Sequence, residues 1–276
     1  KLSAPHLDPA VNIGDELRLV DCDIVPALNG LLFNDLPTSL QIRLKRAFIR
    51  VEVVRKDSDR KFKYHMFKRL NTGGDKLSDQ QIRNATIRML SDQFPNFLGN
   101  LAEYPDFQIC TASLTQEKRL SFIDEELVLR FFALKNFRNN FKHEVGDFLT
   151  EYMEGVATGI AGFVPEFERA AFEKTFAILA RSIAEYAFSF TNKRTGKLTN
   201  AFGIYHFEAF TIGIQSVMDK LDPQNGPQME LLSETIKAIK ADDTFIHMTT
   251  GGGKNSPGPL NERIQFVVQR LSLAFP

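Results

Sequence analysis

The sequence has no tryptophan, only two cysteines and only five tyrosines in 276 residues. Cys22 and Cys110 stand in unrelated contexts without a Cys-x-x-Cys or Cys/His spacing, which argues against a zinc site and against a disulfide-rich secreted scaffold. A reducing, intracellular compartment is expected. No apolar run approaches the roughly 20 residues a membrane span needs, and no basic start followed by an apolar stretch forms a signal peptide. The expectation is a cytoplasmic protein with no membrane partner. Net charge is lacking too, with 34 basic and 34 acidic residues. The chain opens at Lys1 rather than Met, and the polar stretch Lys1 to Asp15 reads as the middle of a longer polypeptide.

What is present is a hydrophobic content of 43% and 25 phenylalanines, enough for a substantial core packed by Phe, Leu and Ile rather than by aromatics with polar handles. The charge is unevenly spread. Arg43 to Arg69 holds eleven basic residues against three acidic ones, Glu52, Asp57 and Asp59, a net +8 that the rest of the chain balances with −8. Such asymmetry suits a phosphate-rich partner such as DNA, and a solvated charged surface accounts for it about equally well.

The fold class expected is α+β. Leu17 to Val20 is a short strand candidate, and Ile49, Val51 and Val53 alternate with Arg50, Glu52 and Val54 as a clearer one. Between them Leu36-Pro37-Thr38 opens a helix to about Ala47, and a second helix spans about Lys61 to Leu70. Asn71-Thr72-Gly73-Gly74-Asp75 is a loop. Ser78 and Gln81 make a capping box for a helix whose expected buried stripe is Ile82, Ala85 and Met89. From about Asp92 onward no strand is expected. Helical stripes follow instead: Ile123, Leu127, Phe131 and Leu134; Phe172, Phe176, Leu179, Ile183, Tyr186 and Phe190; Phe202, Tyr205, Ala209 and Ile212; Leu232, Ile236 and Ile239; Leu260, Ile264, Val267 and Leu271. Breakers fall at Gly159 to Pro165, Asn192 to Gly196, Pro223 to Pro227 and Gly251 to Pro259.

The most specific stretch is Phe67-Lys68-Arg69-Leu70-Asn71-Thr72-Gly73-Gly74, followed by Leu77-Ser78 and Ile82-Arg83-Asn84-Ala85. Backbone N–H groups freed in such a turn can form an anion-binding concavity, the capped helix start adds a favourable dipole, and Arg69 can hold phosphate oxygens bidentately. An ordinary helix connection bent by Gly73 and Gly74 is the plainer alternative. His65, one turn before Arg69, shares its helix face and can point to the same phosphate, while an exposed histidine on a basic helix is the favoured reading.

This pattern resembles the signature of the N-terminal domain family of GmrSD-type, modification-dependent restriction enzymes, whose core is similar to the ParB and sulfiredoxin fold. The likeness extends to Glu126 through Phe131, to Phe148-Leu149 with Tyr152-Met153, and to Gly251 through Arg263. The resemblance implies a small ParB-like α/β part over residues 1–90 and a larger helical part over 91–276. It further implies a bacterial anti-phage factor that binds DNA, with Lys61 and Lys63 on the DNA, Arg69 and Asn71 as catalytic residues, and His65, Lys68, Thr72, Gly73, Gly74, Arg83 and Asn84 around a phosphate or nucleotide. A helix-surface salt bridge is the other reading of Arg83. A nucleoside triphosphate with Mg is the implied cofactor, and a nuclease partner or self-association the implied assembly. Members of the family bear an Asp-Gly-Gln-Gln-Arg motif used in nucleotide hydrolysis or DNA cleavage, and these 276 residues do not contain it, which puts catalysis by this chain in doubt. No paired-His nuclease cluster exists among His6, His65, His143, His206 and His247, so no metal ligands are assigned and a stand-alone member or isolated domain is expected.

Two readings compete. A non-catalytic module that senses DNA and signals to a partner fits an Arg69 loop without an upstream Asp. Arg138-Asn139-Asn140-Phe141-Lys142-His143 has the Arg/His spacing of HEPN ribonucleases, against an exposed helix end. Gly251-Gly252-Gly253-Lys254 lacks the spacing and the preceding strand of a phosphate-binding loop, and a disordered tip is expected there.

Overall fold

The computed structural model describes residues 18–20, 22–48, 51, 53, 55, 62, 66, 77–142, 144–192 and 194–276. The chain divides into two units, Lys1–Asp57 and Ser58–Pro276.

In the first unit the chain turns back on itself. Arg18 and Leu32 form an isolated antiparallel bridge, Leu19 N donates to Leu31 O at 2.9 Å, and Gly30, at φ +83°, supplies the left-handed turn. The Arg18 guanidinium donates to Gly30 O. Short 3-10 turns at Pro26–Leu28 and Phe33–Asp35 lead to helix α1, Thr38–Lys45, where a helix was expected. Leu36 is buried while Ile42 and Leu44 of α1 are exposed. The expected strand over residues 49–54 does not appear in its described part. Val51 and Val53 are in no strand and are 73% and 82% exposed, and no strand pairs with them among the described residues. Phe62 and Met66, which belong to the second unit, are helical, and the rest of the expected 61–70 helix lies outside the described residues.

The second unit is mainly helical: α2 (Asp79–Arg88), α3 (Gln93–Ala102), α4 (Pro105–Cys110), α5 (Gln116–Leu120), α6 (Ile123–Asn136), α7 (Val145–Ala157), α8 (Pro165–Ser182), α9 (Ile204–Gly213), α10 (Gly226–Ala241), α11 (Asp243–Thr249) and α12 (Pro257–Ala274). The helix α2, assigned by sequence to the N-terminal part, packs on α6 and α7 of this unit. The bundle closes around two helices that are apolar nearly all round: Leu127 to Leu134 on α6 and His206 to Gly213 on α9 are buried without interruption. Phenylalanine fills the space between helices. Phe131, Phe132, Phe172 and Phe176 form edge-on and tilted pairs with centroids 4.4 to 6.1 Å apart, a geometry that adds about 0.5–1.5 kcal/mol per pair beyond area burial.

A two-stranded antiparallel sheet, β1 (Ser189–Thr191) and β2 (Leu198–Phe202), corrects the expectation of helices only after Asp92. The 4,3 apolar spacing runs on through Phe190, but the helix stops at Ser182: Ala184 takes φ +50° and a 3-10 turn, Ala184–Tyr186, follows. Asn192 then makes the hairpin turn, its Oδ1 accepting from Arg194 N and Thr195 N at 3.0 and 3.2 Å, with Gly196 at φ +67°. The stripe of α2 is also different from expectation. Met89 is 59% exposed, and the buried face carries Gln80, Arg83 and Asn84 beside Ile82 and Ile87. Residues 251–256, expected to be a disordered tip, are tied down by Arg263 Nη1 donating to Lys254 O at 2.9 Å and by the Lys254 ammonium on His247 O. Among the described residues no helix is long and apolar enough to cross a membrane.

The helices α9 and α12 approach so closely that a Cβ on Gly213 meets Val267 Cγ1 at 2.5 Å and Val267 Cβ at 2.9 Å. Because a Cβ atom cannot swing aside, Gly213→Ala is expected to cost about 1–3 kcal/mol in urea unfolding. Combining it with Val267→Ala should cost less than the two single changes together; strict additivity would refute the close packing.

Candidate functional site

The chain enters the described second unit at Leu77-Ser78, directly after the glycine loop of the sequence signature. Ser78 Oγ accepts from Gln81 N at 3.1 Å and Gln81 Oε1 from Ser78 N at 2.8 Å, the capping box the sequence predicts. The same two side chains anchor the cap to the end of α5, Ser78 Oγ donating to Ser121 O at 2.6 Å and Gln81 Nε2 to Leu120 O at 3.1 Å. The start of α2 is thereby fixed in place.

One turn on, Arg83 begins a ladder of buried ion pairs. Arg83 Nη1 donates to Glu126 Oε2 at 3.1 Å, Arg130 Nη2 to Glu126 Oε1 at 3.0 Å, Arg130 Nη1 to Glu208 Oε1 at 2.6 Å and Arg263 Nη2 to Glu208 Oε2 at 2.5 Å. Four helices, α2, α6, α9 and α12, are joined by it. Arg83 also donates to Gln80 Oε1 at 2.6 Å and Thr150 Oγ1 at 3.3 Å. Asn84 takes a hydrogen bond from Gln80 Nε2 at 3.0 Å and gives one to Glu125 Oε2 at 2.6 Å.

The electrostatics follow from this geometry. Burial pushes the Glu126 carboxyl up, but the guanidiniums of Arg130 and Arg83 outweigh it and hold the group below the usual carboxylate range. Its neighbour Glu125 goes the other way, raised by burial against the opposing hydrogen bond from Asn84. Asp124 is raised, again by burial. The ladder holds three arginines and two glutamates, so its ends at Arg83 and Arg263 are both cationic. A void of about 10 Å³ bounded by Arg130, Glu208, Asn255 and Arg263 has room for one water at most, so the ladder itself is no substrate cavity.

Of the residues singled out by sequence, Arg83 and Asn84 are brought together, at 2% and 8% exposure. The Arg83 salt bridge exists, but inside the protein rather than on a helix surface. Lys61, Lys63, His65, Lys68, Arg69, Asn71, Thr72, Gly73 and Gly74 lie outside the described residues, as does His143. Arg138 is half-buried on a 3-10 turn, Arg138–Asn140. Among the described residues no group of three or more His, Cys, Asp or Glu side chains fits a metal ion. The Mg implied by the resemblance has no cage among them. Sequence reasoning missed Glu126, Arg130, Glu208 and Arg263. Their signal was a single charge inside an apolar run, as in Phe207-Glu208-Ala209-Phe210, since such residues are almost never fully buried unless paired.

No family model matches the chain, and comparison with curated proteins and with solved structures returns no match.

Removing Glu208 takes the carboxylate from two buried guanidiniums, leaving Arg130 to Glu126 alone and Arg263 with only the Lys254 carbonyl, and Glu208→Ala is expected to cost about 3–5 kcal/mol by denaturant unfolding. Glu126 has a folded-state pKa below its ordinary 4.5, so its contribution is complete above that value and is lost as pH falls through the depressed one. In Glu126→Gln, acid titration of the unfolding free energy should therefore be flatter below pH 4.5 than in the parent. An equally steep acid limb would remove the pairing from the stability account.

Proposed function

We propose that this chain is a DNA-binding module of a bacterial defence system, of the kind built on the GmrSD-type N-terminal domain with a ParB-like N-terminal part. In this reading the basic segment Arg43 to Arg69 lies on the DNA backbone, and Arg69 and Asn71 hold a DNA or nucleoside triphosphate phosphate at the loop through Gly73 and Gly74. The observation that carries the proposal is that three separated stretches with the family likeness, Ile82 to Ala85, Glu126 to Phe131 and Gly251 to Arg263, are joined by one ladder, Arg83 to Glu126 to Arg130 to Glu208 to Arg263. Phe148, Leu149, Tyr152 and Met153, which carry a fourth part of the likeness, are all buried. Stretches far apart in the sequence thus share one connected interior.

The ladder also assigns a role. Arg83 and Asn84 are enclosed and bonded to protein groups, so they act as positioning residues that hold α2, and the phosphate contacts fall to the loop before it.

Charge reversal of Lys61, Lys63 and Lys68 tests the DNA contact. Duplex affinity should fall, and the slope of log affinity against log salt should shrink by about 0.9 for each phosphate no longer neutralised. An unchanged slope would mark the segment as solvated surface. In a phage-protection assay, Arg69→Ala or Asn71→Ala should abolish protection with little change in thermal stability, while Arg138→Ala and His143→Ala stay silent. The reverse pattern would favour a ribonuclease instead.

A further inference from the structure

A cleft of about 660 Å³ opens in the second unit, between the end of α8, the 3-10 turn after it, the hairpin and α10. Its size is that of small-molecule sites, which run from about 300 to 1,000 Å³. We propose that it binds a small phosphate ester of nucleotide size, held by side chains from residues 180–237.

Charge comes first. Arg181, Lys197 and Lys237 line the cleft against one carboxylate, Glu185. Arg181 stands in the last turn of α8, where one cation offsets the negative helix end, and its Nη1 donates to Pro223 O at 3.3 Å. Lys237 pairs with Glu234 at 3.0 Å, an exposed contact of small worth that its ammonium can leave for a phosphate. Lys197 has no carboxylate within 4.0 Å among the described residues. The two ammonium groups thus come from different elements, Lys197 from the hairpin and Lys237 from α10.

The polar lining matches. Ser182 and Ser233 supply hydroxyls. Thr191, also in the lining, has a buried Oγ1 with no hydrogen-bond partner.

The backbone is a third, independent sign. Ala184 in the cleft wall has φ +50°, a left-handed conformation that persists in a non-glycine residue only where the surroundings enforce it. The chain just after it is braced by Lys240, whose buried Nζ donates to Tyr186 O at 2.5 Å and to Ser189 O at 3.0 Å. The wall is held rigid before any ligand arrives, and such preorganisation lowers the entropic cost of binding.

The test is calorimetric titration of the full chain with adenosine monophosphate, ribose 5-phosphate and inorganic phosphate. At least one ester should bind, more tightly than phosphate alone. Lys197→Gln and Lys237→Gln are exposed changes and should each weaken that binding about tenfold, the worth of one charge-assisted hydrogen bond, with the unfolding midpoint unchanged. Arg69→Ala should leave it untouched. Failure of both esters to bind at millimolar concentration overturns the proposal. So does binding that survives both lysine changes or disappears with Arg69→Ala.

Discussion

The fold depends on one ion pair, Arg130 with Glu208 at 2.6 Å. The helices that carry these residues, α6 and α9, are each buried without interruption over eight residues, so both charges are largely withdrawn from bulk water. An isolated ion in that position costs several kcal/mol after relaxation. The two helices can lie together only with the charges opposed, and the second oxygen of each carboxylate then recruits another cation, Arg83 on α2 through Glu126 and Arg263 on α12 through Glu208. The Nε atoms of Arg130 and Arg263 remain without partners, so the ladder is not a fully satisfied network. Its contribution is to fix which helix lies against which, since apolar packing alone tolerates many neighbouring arrangements.

Around that pair the core is built from a side chain with no polar handle. Phenylalanine rings interlock edge to face along α4, α6 and α8, as in Phe107 with Phe176 and Phe131 with Phe172. Where a phenol does enter, it is provided for: the Tyr152 hydroxyl accepts from Asn136 Nδ2 at 3.1 Å, and burial raises its pKa. His206 follows the same rule. Its ring nitrogens meet Ser189 O at 2.7 Å and Thr249 Oγ1 at 3.1 Å, and burial pushes its pKa down to about 3. It is therefore uncharged across the physiological range and acts as a structural polar tie between the hairpin and α11.

The long amphipathic helices and the capping box were legible in the sequence because each has a local cause. Leu260, Ile264, Val267 and Leu271 form one apolar stripe on α12 and all are buried, and the Ser78 and Gln81 cap needs only its own four residues. The hairpin was not legible, since Ile183, Tyr186 and Phe190 continue a helical spacing. The break falls at Ala184, and the carbonyls of Tyr186 and Ser189 that follow it are bonded by Lys240 from a helix more than fifty residues on in sequence. The buried face of α2 was misread for a related reason. A count of apolar residues favours Met89, while the true neighbours of α2 are carboxylates on α6 that bury Arg83 and Asn84. Long-range partners decided both cases, and periodicity carries no record of them.

The same fact changes what a sequence motif says about function. Ile-Arg-Asn-Ala reads beside the glycine loop as part of a phosphate site, because arginine and asparagine are the side chains that bind phosphate. In the folded chain both have their hydrogen bonds within the protein, Arg83 to Gln80, Glu126 and Thr150, and Asn84 to Gln80 and Glu125. Withdrawing Arg83 to meet a phosphate would leave Glu126 shared with Arg130 alone in an interior that raises its pKa. These two positions are therefore explained by folding, and their presence speaks for the architecture of α2 against α6 rather than for chemistry. Chemistry has to be argued from side chains whose bonds the fold does not already require, and within this motif that leaves the loop ahead of Ser78.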